Sequence, residues 1–489
     1  MKFLIIGGGA GGCASALELA KAGHTVVLVE KRDDLLAGSS DDTPCRLGLG
    51  FHYIDINTAK KYLRSTITFL KKYPEFVLGR DKDPSHPYLH WRYFVVKDSQ
   101  FKLSKIDEVY GQLKEYYKEL IKEDSDNAVL GNPENFYRPL AIDEFENHVN
   151  KKIVITGFET AEQVLDWPRF KSYMINEVEA HPNITVYKNC EVLDVKHSDK
   201  HAGFVVSIQK QNINQEKLSA DFIVNCAWEN VEAINHKAGF FTQPGARTNR
   251  LKVIVEIELP ANFEANGPVN SMFFCFGPHC SFTNLGNGKG YISYEPVTNI
   301  ELSSTLELPA LSKRLLYNKA SEDDVLYYGQ EILAGVVKYI PGLKDSKITG
   351  AKFGIVKTKG TVDIYSADSD FHKRDYSGVE SQQIRWIDNS CMKLLYMLDN
   401  AKEVADLAEK HIKIDNFIGD ISVNLQFPNE NLNSQKFLQH AFKKYTQRYL
   451  AINDIKKEDE DKFVRNYSKI TRTVIEDKNK LLTEMKNRI

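Results

Sequence analysis

The chain has 489 residues, 42% of them hydrophobic and 11% aromatic, which is too much for one ordinary core and predicts two intimately packed domains plus an appendage. Its 64 basic and 66 acidic residues leave a formal charge of −2, so no global field attracts nucleic acid or an anionic membrane, and neither is expected as a partner. Seven cysteines at long spacings, with no Cys-x2-Cys, predict reduced thiols in a cytoplasmic protein rather than a disulfide framework.

The N-terminal apolar run is too short for a signal segment, and no run approaches the roughly 20 residues of a membrane-spanning helix. Residues 3–6 instead read as a short buried parallel strand. Gly7-x-Gly9-x-x-Gly12 follows at once, then a helical stretch over 13–22 stopped by Gly23, and a second buried strand over 26–29 ended by Glu30. Gly7 permits the tight turn, Gly9 lets a pyrophosphate approach the backbone, and Gly12 allows the helix to pack on the sheet. The helix N-terminus presents N–H groups and partial positive charge to phosphates. Glu30, 18 residues past Gly12, is spaced to accept hydrogen bonds from ribose hydroxyls and would repel a 2′-phosphate. Candidate contacts to the dinucleotide are Gly7, Gly9, Ala10, Gly11, Gly12, Glu30 and Lys31.

Three later segments bear on the kind of dinucleotide. Gly38-Ser39-Ser40, then Cys45-Arg46-Leu47-Gly48 onward, is rich in small residues that let backbone lie against a flat ligand. Residues 183–195 read as a strand, and 220–228 as a strand ending in Asn225-Cys226-Ala227. Residues 375–393 end in Cys391-Met392-Lys393 and lead into a helical stretch over 401–408. With its opening motif, this order of segments over roughly 1–411 resembles the FAD-dependent D-amino-acid oxidase superfamily, which includes the FAD-linked glycerol-3-phosphate dehydrogenases. The resemblance implies FAD as cofactor. It implies that Ser39, Ser40, Arg46, Leu47 and Gly48 pass along the pyrophosphate and flavin ring, and that Val192 offers backbone to the adenine. It also implies that Cys226 and Ala227 form a turn beside the cofactor. Lys393 matches the Lys of a Gly-Gly-Lys in the glycerol-3-phosphate dehydrogenase branch, with Cys391 and Met392 in place of the two glycines.

The expected fold is α/β. A Rossmann-like FAD-binding domain with a parallel sheet takes 1–53, 171–229 and 351–411. An antiparallel-sheet substrate domain takes 54–170 and 230–350, and 412–489 form a helical extension. Within the insertions, 58–72 has helical periodicity, while 250–259, 272–276 and 290–294 read as strands. Cys275 and Cys280 read as small buried hydrophobes. Gly286-x-Gly288-x-Gly290 lacks the third-glycine spacing, and a preceding buried strand is not expected. No HExxH or paired Cys motif predicts a metal. In the tail, 438–450 and 463–485 look helical, either as a brace on the core or as a surface for a homodimer.

The resemblance implies transfer of a hydride, from a C–H next to nitrogen or oxygen of a small amino acid, amine or hydroxy acid, to flavin N5. Candidate substrate-side residues are His52 as base or substrate contact, Arg385 as an anion clamp, and Tyr53 and Tyr291 as pocket walls. Two alternatives stay open: a flavin monooxygenase or NAD(P)H-fed flavoenzyme, and a FAD-binding scaffold whose catalytic face has decayed.

Overall fold

The computed structural model describes residues 1–79, 90–198, 203–210, 215–241, 247–317, 320–360, 362–367, 369–370 and 373–424, with side chains described as far as 413. The tail segments 438–450 and 463–485 lie outside the described residues.

The opening folds as its pattern dictates. Strand β1 (Lys2–Ile6) turns at Gly7 (φ +102°) into helix α1 (Ala10–Lys21), and the chain returns in β2 (Thr25–Val29). Both strands are buried apart from their first residues, because helices cover one face and a small meander the other. They lie in a six-stranded sheet ordered Val379–Gln383, Trp386–Asn389, Phe222–Asn225, β1, β2, Ile184–Tyr187. All its neighbours run parallel except the edge hairpin Val379–Gln383 with Trp386–Asn389.

Residues 183–195, expected as one strand, form two. The chain breaks at Asn189 (φ +56°), so that Ile184–Tyr187 closes the parallel sheet while Cys190–His197 starts the three-stranded meander completed by Phe204–Lys210 and Glu216–Ala220. Asn tolerates this left-handed conformation better than most residues, and the turn lets one apolar run serve two sheets.

A nine-stranded sheet is assembled from segments far apart in sequence. Trp91–Val96, Tyr137–Leu140 and Val154–Thr160 come from the first insertion. Arg247–Glu258, Ser271–Cys275, Cys280–Gly286, Lys289–Tyr294 and Asn299–Ser303 come from the second. Lys347–Lys359 pairs with Arg247–Glu258 along its length. The two insertions meet where Ser271–Cys275 pairs in parallel with Trp91–Val96. A buried strand, Cys280–Gly286, does precede Gly286-x-Gly288-x-Gly290, contrary to expectation. The glycines make a hairpin turn into Lys289–Tyr294, not the start of a helix. Cys275 and Cys280 are buried with free thiols in adjacent strands.

Helix Ile56–Lys72 carries Tyr62 and Leu63 into the core between the layers. Lys393 begins a short 3-10 turn, and the last described helix, Met397–Asn424, starts four residues before 401 and packs on α1.

Candidate functional site

A long groove, with about 1710 Å³ of space that is partly open to solvent, runs past the C-terminal ends of the parallel strands to the underside of the nine-stranded sheet. This is where open α/β sheets bind ligands. Its floor is the first turn of α1: Gly7, Gly9, Ala10 and Gly11 line it. The packing explains the glycines. A Cβ on Gly7 would stand 2.7 Å from the Cys226 carbonyl oxygen, and one on Gly12 would stand 1.9 Å from the Gly7 carbonyl oxygen. Gly12 does not line the groove; it lets helix and strand meet behind it.

Glu30 lines the groove at the end of β2, its carboxylate fixed by two backbone donors: Gly8 N–H to Oε2 at 2.6 Å and Arg32 N–H to Oε1 at 2.8 Å. Lys31 lies beside it, 3.6 Å from Glu229 and over the Tyr317 ring. Ser40 Oγ accepts from the Ala10 N–H at 3.0 Å, and Ser39 Oγ accepts from the Ile355 N–H at 2.9 Å, which ties the 38–46 segment between helix start and roof. Val192, Cys226, Ala227, Met392 and Lys393 also line the groove.

The Cys391-Met392 pair is accommodated without glycines. Cys391 adopts φ +39°, the left-handed conformation a glycine would take freely. Met392 is buried, its side chain packed over Gly378. Asn389 locks the region: its side-chain amide donates to Ser15 Oγ at 3.0 Å, and its Oδ1 accepts from Asn400.

Arg46 reaches the groove from a buried setting. Its guanidinium lies over the Phe273 ring at 4.6 Å and 4.0 Å from Glu162. Glu162 is fully buried and accepts from the Leu49 N–H at 2.5 Å and from the Tyr93 hydroxyl. Burial pushes its carboxyl up, against the pull of Arg46. Leu47 and Gly48 lie behind the wall, where a Cβ on Gly48 would meet Tyr62 at 2.4 Å.

The four substrate-side candidates are not among the lining residues. His52 is half-buried, its ring 3.8 Å from that of Tyr53. Tyr53 stands immediately behind the lining, under Lys393 Nζ at 5.7 Å. Tyr291 accepts from Lys352 at 3.2 Å on the sheet's underside. Arg385 is at the far end of the parallel sheet, in the turn between the edge strands (φ +72°), over Phe222. Its carbonyl accepts from Ile223 N–H at the strand's start, so the sheet itself separates it from the groove.

Sequence reasoning missed Arg32, Asp42, Thr43, Trp228 and Asn389 among the groove residues, and Arg250, Lys252 and Arg374 behind them. A signal existed for Arg250 and Lys252: they alternate with Leu251 and Val253 in the strand Arg247–Glu258.

Residues 2–240 match the family model described as DAO, FAD dependent oxidoreductase. The match to that family of FAD-dependent oxidoreductases covers just under half of the chain. FAD is the cofactor of that family. Among solved structures of similar fold, glycine oxidase from Geobacillus kaustophilus is 14% identical with a TM-score of 0.57, over 83% of this chain and 94% of that one. L-amino acid deaminase from Proteus vulgaris is 11% identical with a TM-score of 0.58, over 84% and 93%. The FAD-bound L-alpha-glycerophosphate oxidase from Mycoplasma pneumoniae is 16% identical with a TM-score of 0.54, over 83% and 94%. At these identities the likeness is one of fold. A curated relative, the FAD-dependent monooxygenase kojA of Aspergillus flavus, is 40% identical over 78 residues, 16% of this chain. That match spans 18% of the relative's length, less than a fifth. Among the described residues, no helix is long and apolar enough to cross a membrane.

Proposed function

We propose that the protein is a FAD-dependent oxidase or dehydrogenase acting on a small amino acid, amine or hydroxy acid. The observation that carries this reading is Glu30, buried and aimed into a groove whose floor is the glycine turn and first turn of α1. The residues fit the cofactor. The N-terminal turn of a 12-residue helix faces the groove where a pyrophosphate would lie. The Glu30 carboxylate is already oriented by Gly8 and Arg32 for a ribose, so little ordering accompanies binding. Gly7, Gly9, Ala10, Gly11, Ser39, Ser40, Glu30 and Lys31 would hold the ADP half, with Val192 toward the adenine. Arg46, Cys226, Ala227, Met392 and Lys393 would border the flavin.

Bound FAD supplies a hydride acceptor at flavin N5 for a C–H next to nitrogen or oxygen. The chain's own part is to seat and orient the substrate and keep water out. The aromatic wall of Tyr53, Tyr62 and Phe273 excludes solvent, and Glu162 fixes the Arg46 guanidinium. We assign 1–53, 171–229 and 351–411 to the cofactor domain and 54–170 and 230–350 to its roof, with the correction that the strand Lys347–Lys359 runs wholly in the roof sheet, and the protein to the cytoplasm.

The test is an anaerobic spectrum of purified protein. The expected result is a flavin band near 450 nm that bleaches on addition of one member of an amino-acid, amine and hydroxy-acid panel. Bleaching by NADPH alone would replace this reading with an NAD(P)H-fed flavoenzyme, and colourless protein that refuses added FAD would end it.

A further inference from the structure

The strand Lys347–Lys359 pairs with Arg247–Glu258 along one edge, and among the described residues no strand covers its other edge. In an antiparallel pair the N–H and C=O of one residue point to the same edge. At Ile355 both point outward. The N–H donates to Ser39 Oγ at 2.9 Å, and the C=O accepts from the Trp228 indole N–H at 2.8 Å. A single roof residue is therefore fastened to two loops of the layer below.

Those loops are the two banks of the groove. Ser39 sits beside Ser40, which accepts from the Ala10 N–H at the start of α1. Trp228 follows the Cys226-Ala227 turn, and the Cys226 carbonyl oxygen is 2.7 Å from where a Gly7 Cβ would stand. The glycine floor lies between them, and Ser39, Trp228, Ile355 and Val356 all line the groove. The bridge from Ser39 through Ile355 to Trp228 thus crosses the groove where a pyrophosphate would rest on the helix start. Ties that only joined the two layers could lie anywhere along their contact.

Trp228 holds a left-handed backbone (φ +46°), which a bulky residue rarely adopts. The roof strand fixes it at two points. One is the indole bond to Ile355. The other is Lys357 two residues on, whose Nζ donates to the Trp228 carbonyl at 2.6 Å. Lys357 is wholly buried and also pairs with Glu232, in the short helix Val231–Lys237 that follows Trp228. Backbone strain of this kind persists where the surroundings over-determine it, and it collects at ligand clamps.

We infer that Ser39, Ile355 and Trp228 form a clasp over a dinucleotide lying on the glycine turn, so that FAD enters and leaves only when the roof strand lets go of Trp228. The inference rests on the reading that FAD occupies this groove; it does not depend on the substrate class. A wall contact slows release alone. A clasp slows entry and release together, and entry then levels off with ligand concentration at the rate of opening.

The test mixes full-length protein stripped of flavin with rising concentrations of FAD and follows flavin fluorescence, and it measures release after dilution of the loaded protein. The wild-type association rate is expected to reach a plateau. Trp228→Phe keeps an aromatic ring and removes the indole N–H. It is expected to raise both the plateau and the release rate by roughly three- to ten-fold, the worth of one hydrogen bond, with affinity changed less than either rate. Ser39→Ala, which opens the clasp from the other bank, is expected to act in the same direction and decides the matter if Trp228→Phe does not fold. An association rate that stays proportional to FAD in the wild type overturns the inference. So does a plateau that neither variant moves, or a rise in release alone. If the protein takes up no FAD, the cofactor reading fails and hydrogen exchange at the Ile355 amide decides the clasp. Faster exchange in Trp228→Phe supports it, and unchanged exchange overturns it.

Discussion

The two ends of the groove are built from different materials. The end proposed to hold the nucleotide is made by backbone: Gly7, Gly9 and the first turn of α1, with one carboxylate held by main-chain donors. The far end is made by side chains that distant segments bring together, with Arg46, Arg250, Arg374 and Lys393 around three buried tyrosines. A backbone-made site should fail when volume is added and tolerate changes of charge. A side-chain-made site should fail when a charge partner is removed.

The sharpest separation comes from Gly12→Ala. A Cβ 1.9 Å from the Gly7 carbonyl oxygen cannot be absorbed without moving α1 off β1. We expect a loss of about 3 kcal/mol or more of stability and most of the bound flavin, read by urea unfolding and by the ratio of flavin to protein absorbance. Retention of full flavin content would break the comparison at this end. Next is Glu162→Gln, which keeps the shape but strips the buried Arg46 of its carboxylate. We expect a loss of about 3 kcal/mol in the same unfolding measurement, with flavin content per folded protein little changed. A flavin loss as large as that of Gly12→Ala would mean the two ends are one unit. The smallest effect should be a gain. Cys391→Gly removes a left-handed non-glycine residue (φ +39°), worth about 1 kcal/mol of added stability, and calorimetry should detect it as a higher unfolding temperature.

The same contrast decides what could be read from sequence. The strand–turn–helix opening and its place on the groove were legible because strand, glycine turn, helix and acid fall within 29 consecutive residues, and each has a chemical reason for its place. The small-residue stretch around Ser39, Ser40 and Arg46 was legible for the same reason. The cation set was not. Arg250 and Lys252 alternate with apolar residues, the pattern of a half-solvated strand, yet both faces of that strand are covered. Nothing local tells Lys393 that Arg374 will stand beside it. Arg385 illustrates the reverse problem: a reactive residue type near a motif in sequence carries no information about which end of a sheet it reaches. The division at Asn189 escaped because an apolar run across a single turn residue looks continuous.

The interleaving of the chain has a consequence for biosynthesis. The stretch matched by the family model, 2–240, supplies four strands of the parallel sheet and three of the roof, but their neighbours Trp386–Asn389 and Ser271–Cys275 come later. A nascent chain halted at 240 would expose unpaired edges on both Phe222–Asn225 and Trp91–Val96, the edges most prone to join another molecule. The ribosome must therefore deliver about 360 residues before the nine-stranded sheet is complete and about 390 before the parallel sheet is, so both depend on pairings between distant segments, which slow folding, and the N-terminal half is unsuited to expression alone.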